Sequence, residues 1–292
     1  MKLNIVIVLY NKAICQSKTV NSLLDNIDSF FDTEITVCIW NNGPSSIRDE
    51  VAAFIDSQTF KNFVVCENLS NSPLSFVYNS MLNEECANIY FDDDTFVTQE
   101  YVLSVNDFMK GDREVFLPSI VSLNQRRYPK VNKVAGDFNG ELSELSVVSI
   151  LSGLLIKEDT IRRLKCKFGD VFDHRFNIYG VDTTLFYRLK SINFDRYYVG
   201  GILEHDLSGV SAGGAQYISM FRVRERLWDF TLQTIFYRKL GALLGLIQFL
   251  KTYKSRLTIS FVFEVFVKAL FYMGHPNTKK KSTTHTLFPY NE

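Results

Sequence analysis

The chain has 292 residues, 46% of them hydrophobic and 14% aromatic, which is ample for a buried core and excludes a disordered chain. Its formal net charge of zero hides an asymmetry: from residue 220 onward twelve basic residues face four acidic ones, so this end carries +8 and the remainder −8. The five cysteines stand singly with no CxxC pair, which argues against a zinc site and predicts reduced thiols in the cytoplasm.

Residues 3–9 (LNIVIVL) form a continuous apolar run that ends in Tyr10-Asn11-Lys12, the pattern of a buried parallel strand opening into a loop and helix. The chain enters this strand directly and shows no small-residue cleavage site, so the segment reads as a core strand and not as a signal peptide. Further strands are predicted at 34–40, 63–66 and 87–91, with helical spacing at 20–31, 47–55, 74–82 and 101–109. This alternation specifies an α/β fold with a Rossmann-like, doubly wound sheet, whose ligands bind beyond the carboxyl ends of the strands. Polar clusters follow three of those strands: Tyr10-Asn11, Asn41-Asn42-Gly43-Pro44 and Asp92-Asp93-Asp94-Thr95.

The second half is less regular. Residues 147–155 read as a strand interrupted at Ser152-Gly153, 182–189 as a helix, and 196–203 as a strand ending in Glu204-His205-Asp206. From 216 to 273 the pattern is helical with breaks near Gly241 and Ser255, and the lysine-rich tail at 274–292 is expected to be mobile. Residues 241–250 are too short to span a bilayer, and 257–273 include Glu264 and Lys268. Arg256, Ser260, Glu264 and Lys268 recur every four residues as one narrow polar stripe, so this helix is expected to bury most of its circumference. It would do so against the rest of the chain, against a second copy in a homodimer, or in an anionic membrane interface. A solvated basic face is the plainer alternative, and no nucleic-acid-binding module accompanies the charge.

Three consecutive carboxylates at the end of a strand repel one another unless a cation sits among them. Asp92 and Asp94 project to the same side of an extended segment, so both can approach one Mg2+ or Mn2+ ion that keeps open positions for phosphate oxygens. A solvated acidic turn or a helix cap explains the same residues.

IVIVLYNK, WNNG and YFDDDT together resemble the nucleotide-sugar half of the GT-A inverting glycosyltransferases of family 2, the bacterial surface-polysaccharide enzymes with a DxD motif. The resemblance implies a GT-A mixed sheet over residues 1–215 with a C-terminal helical extension over 216–273 and the basic tail beyond it. Residues 1–110 would bind the nucleotide sugar and 111–215 the acceptor. Leu9, Tyr10, Asn11, Asn41, Asn79, Asp92 and Asp93 would contact the donor, and Asp92, Asp94 and His205 the metal. Asn41 stands where the family often has aspartate, which leaves UDP- and dTDP-sugars both open. Asn79, like Asn68, is equally explained by capping.

Ser152-Gly153, followed by an apolar pair and a charged loop, is similar to the family's acceptor-side strand. FDHRFNIYGVDTTLFYRLK is similar to its FDExFxxxGEDxDLxxRL segment, which makes Asp182 the general base and sets His174 and Arg188 beside the acceptor. Val181 and Thr184 replace acidic residues of that motif, and Asp182 also suits a plain helix cap. The implied activity is transfer of a sugar from a nucleotide-diphosphate sugar to a glycan or lipid-pyrophosphate-linked hydroxyl; the basic C-terminal helices are expected to dock a cytoplasmic enzyme peripherally at the inner face of the plasma membrane. An accessory sugar-nucleotide-binding subunit is the alternative. A nucleotidyltransferase is disfavoured because LYNKAICQSK has no glycine to grip a triphosphate. Trp40 is expected to pack beneath the nucleotide pocket, and His275 and His285 read as incidental.

Overall fold

The computed structural model describes residues 1–143, 146–205, 218–280 and 283–288. The first half runs β1 (Lys2–Leu9), α1 (Lys18–Asp25), β2 (Glu34–Asn41), α2 (Arg48–Ser57), β3 (Phe63–Glu67), α3 (Leu74–Met81), β4 (Ala87–Asp92), β5 (Thr95–Phe96) and α4 (Gln99–Lys110). Next come β6 (Val115–Ser122), β7 (Gln125–Tyr128), β8 (Lys130–Val131), β9 (Val134–Ala135), β10 (Gly140–Ser143), β11 (Val147–Val148) and β12 (Leu154–Ile156). The remainder is α5 (Glu158–Phe168), α6 (Val181–Ser191), β13 (Arg196–His205), α7 (Met220–Leu232), α8 (Leu240–Thr252), α9 (Ile259–Tyr272) and β14 (His285–Phe288).

β1 is apolar on both faces because it lies between two parallel neighbours, β2 and β4, with helices covering the sheet. Its carboxyl end therefore opens beside those of β2 and β4, which brings the three polar clusters of the sequence together. The order across the large sheet is β10-β13-β6-β12-β4-β1-β2-β3-β14, with β5 joined to β13 and β7 to β6. Only part of it is parallel: β12 runs antiparallel between β4 and β6, and β10 and β14 are antiparallel edge strands.

The single doubly wound GT-A sheet expected from the sequence is corrected here. The strands are divided between an eleven-stranded mixed sheet and a separate three-stranded sheet, β11-β8-β9. The physical reason lies in residues 123–153. Leu123-Asn124 and Asn132-Lys133 both take positive φ, as tight hairpin turns require, so the chain doubles back in short antiparallel strands instead of continuing strand and helix. The run at 147–155 is not one interrupted strand: β11 belongs to the small sheet and β12 to the large one. Between them Gly153 turns at φ 78°, where an added Cβ would meet Leu203 Cδ1 at 2.2 Å.

Two further expectations change. The charged segment after β12 is not a loop but α5, whose first turn carries Glu158 and Asp159 and whose last turn carries Lys165 and Lys167, matching the helix dipole at both ends. The tail at 274–292 is folded where it is described, for β14 adds to the free edge of β3 and His275 is buried. The loop expected at Asp206 lies outside the described residues.

Both faces of the large sheet are packed. On one, Phe172 sits fully buried with ring centroids 5.3 Å from Tyr78 and 5.0 Å from Tyr90, tying the loop before α6 to α3 and β4. Phe172→Ala removes that bridge, and the expected loss is about 3–5 kcal/mol in denaturant unfolding, with the transition still cooperative.

Candidate active site

The turn after β4 is held from beneath by α1. Thr19 Oγ1 donates to the Asp92 carbonyl at 2.5 Å and accepts from the Thr95 amide at 2.9 Å, while Ser17 Oγ donates to the Asp93 carbonyl at 3.1 Å. Ser152 supports it from β12's approach: its hydroxyl accepts from the Asp92 amide at 3.2 Å and lies 2.7 Å from Thr95 Oγ1. The β5–β13 pairing sets Thr95 opposite His205, and this register carries the imidazole to the carboxylates. His205 Nδ1 lies 3.0 Å from Asp94 Oδ1 and Nε2 lies 3.5 Å from Asp92 Oδ2.

Asp92, Asp94 and His205 thus offer one ligand atom each, all within 4.8 Å of one another. Two carboxylates and an imidazole are a donor set that suits a divalent ion such as Mn2+ or Mg2+, with positions left for phosphate oxygens. The electrostatics agree with that use. Crowding by protein raises the Asp92 carboxyl, His205 pulls it down, and the charges of Asp94, Asp93 and Asp182 add to the rise. About half of the Asp92 side chain stays open to the recess, which moderates the effect. At Asp94 burial works against ionisation, but the hydrogen bond and charge of His205, with the charge of Lys12, more than offset it and hold the carboxyl below its ordinary value.

Asp93 points the other way and fastens the loop after β1. Its carboxylate accepts from the Tyr10 amide at 3.0 Å and from Lys12 Nζ at 2.5 Å. Tyr10 is exposed at the rim, Leu9 is wholly in the core, and Asn11, at φ 54°, donates its amide to the Gly43 carbonyl at 2.7 Å. Asn41 is buried with both ends of its amide engaged in its own turn, donating to the Ser45 carbonyl and accepting from the Gly43 amide. Trp40 is buried below, its indole N–H bonded to Asn42. Beyond Lys12, a cavity of about 240 Å³ opens between the two loops, bounded by Ser45, Ser46, Asp49 and Glu50.

Asp182 stands in the first turn of α6, which starts at Gly180 with φ 87°. A Cβ at Gly180 would lie 2.2 Å from Asp229 Oδ1, so glycine is needed for both conformation and space. Desolvation raises the Asp182 carboxyl, opposed by the Thr183 amide that donates to it and by the charge of Arg226. Its charge is felt at Asp92, and those of both carboxylates are felt at the buried Tyr78 phenol, so the two groups lie within electrostatic reach of one another.

Of the other residues expected at the donor or acceptor, all but His174 are engaged in the fold. Arg188 is buried and donates to the Asp170 and Val171 carbonyls, and Asn79 exchanges hydrogen bonds with the backbone of Phe172. Gly153 donates to the Tyr90 carbonyl, and His174 is exposed, 3.6 Å from Asp170. Two side chains absent from the sequence reading act on these carboxylates. The Tyr78 phenol of α3, raised first by burial, feels the charges of Asp92 and Asp182, and Arg226, stacked 4.0 Å over the Tyr179 ring, brings a cation from α7 whose charge favours ionised Asp182. Tyr78 looks in sequence like one more apolar helix position, and Arg226 like one more charge on a basic helix.

No family model and no curated protein matches the chain. Solved structures do. Residues 1–349 of TarS from S. aureus align at TM-score 0.53 with 13% identity, covering 92% of this chain and 79% of that one. The same protein in complex with UDP-GlcNAc gives TM-score 0.53 at 12% identity, covering 92% and 80%. The mannosyltransferase PcManGT from Pyrobaculum calidifontis, in complex with GDP-Man and Mn2+, aligns at TM-score 0.51 and 13% identity, covering 94% and 81%.

The chain has a glycosyltransferase-like fold. The finer labels drawn from the sequence, family 2, GT-A and the DxD motif, are withdrawn: no family model supports them, the strands form two sheets, and likeness at this identity speaks to fold alone.

Mn2+ at about a hundred times its Kd is expected to stabilise the protein by about 2.7 kcal/mol. Thermal unfolding of Asp94→Ala and His205→Ala should show that gain lost, and an equal gain in either variant would remove the residue from the ligand set.

Proposed function

We propose that the chain is a glycosyltransferase that moves a sugar from a nucleotide-diphosphate sugar to a hydroxyl acceptor. The observation that carries this reading is the cluster of Asp92, Asp94 and His205, which offers one ligand atom from each residue within 4.8 Å, with the charge of Asp182 felt at Asp92. Support for the donor class comes from the similar folds, one crystallised with UDP-GlcNAc and the other with GDP-Man and Mn2+.

A divalent ion held by Asp92, Asp94 and His205 would neutralise charge on the departing diphosphate. Asp93 positions the loop after β1 through Tyr10 and Lys12, so the nucleoside half of the donor extends past Lys12 into the cavity walled by Ser45, Ser46, Asp49 and Glu50. Because both ends of the Asn41 amide are occupied, the base is read by other groups, and Asp49 and Glu50 favour a base edge that donates N–H. Asp182 accepts the proton of the attacking hydroxyl. Its place at the start of α6 helps keep it ionised, and Arg226 adds a second favourable charge. Direct displacement from the face opposite the diphosphate inverts the anomeric centre.

Asp182→Asn is expected to lower transfer by about 10²–10⁴-fold while metal-dependent donor binding, followed by calorimetry, persists. Near-normal transfer in that variant would remove Asp182 as the base. The pH profile has a definite sign. The base works ionised, and its carboxyl is raised from the ordinary 3.8, so activity should rise with pH along a limb displaced above that value.

A further inference from the structure

Ten of the twenty-one large apolar side chains exposed among the described residues fall between 240 and 273. They are ordered. On α8, Leu240, Leu243, Leu244 and Ile247 share the outward face, while Ala242 and Leu246 turn inward. On α9, Ile259, Phe263, Val267 and Leu270 do the same, with Phe271 beside them, and only Val265 and Ala269 are buried. Ile259 is 90% exposed, Phe271 78% and Phe263 70%, so of the ways this helix was expected to bury its circumference, packing against the rest of the chain covers only one side. The inner faces of both helices rest on α7, through Phe249 on Phe230 and Phe261 under Arg224.

The net charge around this face is positive. Arg238 and Lys239 precede α8 and Lys251 and Lys254 close it, all exposed. Of the three acidic residues between 220 and 280, Glu225 and Asp229 are buried, and Glu264 is paired with Lys268. A two-fold contact with a second copy would set these cations against themselves. An anionic bilayer satisfies both features at once, taking apolar side chains into the acyl boundary and lysines and arginines at the phosphates. At 13 and 14 residues, α8 and α9 fall short of the roughly 20 needed to span, so they would lie along the surface.

We propose that the outward faces of α8 and α9, rimmed by Arg238, Lys239, Lys251 and Lys254, form a docking surface for an anionic lipid bilayer. The inference is independent of the catalytic reading, since its test needs no turnover. The full chain is sedimented with vesicles of phosphatidylcholine containing roughly one third phosphatidylglycerol, and with vesicles of phosphatidylcholine alone. Binding to the mixed vesicles is expected to weaken with salt and to fall at least about tenfold both in Phe263→Ser/Phe271→Ser and in Lys251→Glu/Lys254→Glu. All four positions are exposed, and unchanged circular dichroism confirms folding of the variants. Equal binding to pure phosphatidylcholine, undiminished binding of either variant, or a dimer in equilibrium sedimentation that Phe263→Ser abolishes would overturn the proposal.

Discussion

Like charges held close together are the constraint on which the site depends. Asp92, Asp93 and Asp94 follow one another at the end of a central strand, and their mutual repulsion would splay the turn unless the surrounding fold opposed it. Three devices do so from different parts of the chain. Thr19 and Ser17 grip the turn's carbonyls from α1, Lys12 takes the charge of Asp93 on the side away from the other two carboxylates, and the β5–β13 pairing holds His205 against Asp92 and Asp94. The outcome is a division of labour: one carboxylate braces a loop, and two remain turned towards the recess where a cation can take their charge.

The parallel half of the large sheet was legible in the sequence because its code is local. Apolar runs at residues 3–9, 34–40, 63–66 and 87–91 have no polar alternation, which is the mark of strands covered on both faces, and the polar residues after them fall together once those strands pair in parallel. What could not be read was non-local. Residues 147–155 look like one strand, and only the turn at Gly153 assigns their two ends to different sheets. The polar segment from 123 to 146 carries too little apolar material to announce β7 through β10, whose positions depend on tight asparagine turns and on partners distant in the chain.

The site shows the same split between local and distant information. Asp92 and Asp94 were identifiable from residue type and position and His205 from the resemblance, and the structure brings the three within reach of one another. Asn79 and Arg188 match a family pattern yet spend their hydrogen-bonding capacity on the backbone at 170–172, so the pattern there reflects architecture. Tyr78 and Arg226 carried no signal of their own, because a buried phenol and a surface guanidinium acquire meaning only from what a separate element sets beside them.

Helix α7 connects the recess to the C-terminal helices. One side of it sends Arg226 over Tyr179, while Glu225, facing the protein interior, accepts from Asn177 at 2.9 Å and lies 3.4 Å from His275, which packs edge-on against Trp228. The His275 amide in turn donates to the Arg175 carbonyl, and Arg175 clasps Asp173. The segment from 173 to 180, which delivers Asp182, is therefore pinned between α7 and the end of α9, and a histidine that reads as incidental in the tail is part of that pin. The end of α9 is thus built into the positioning of the loop that carries Asp182.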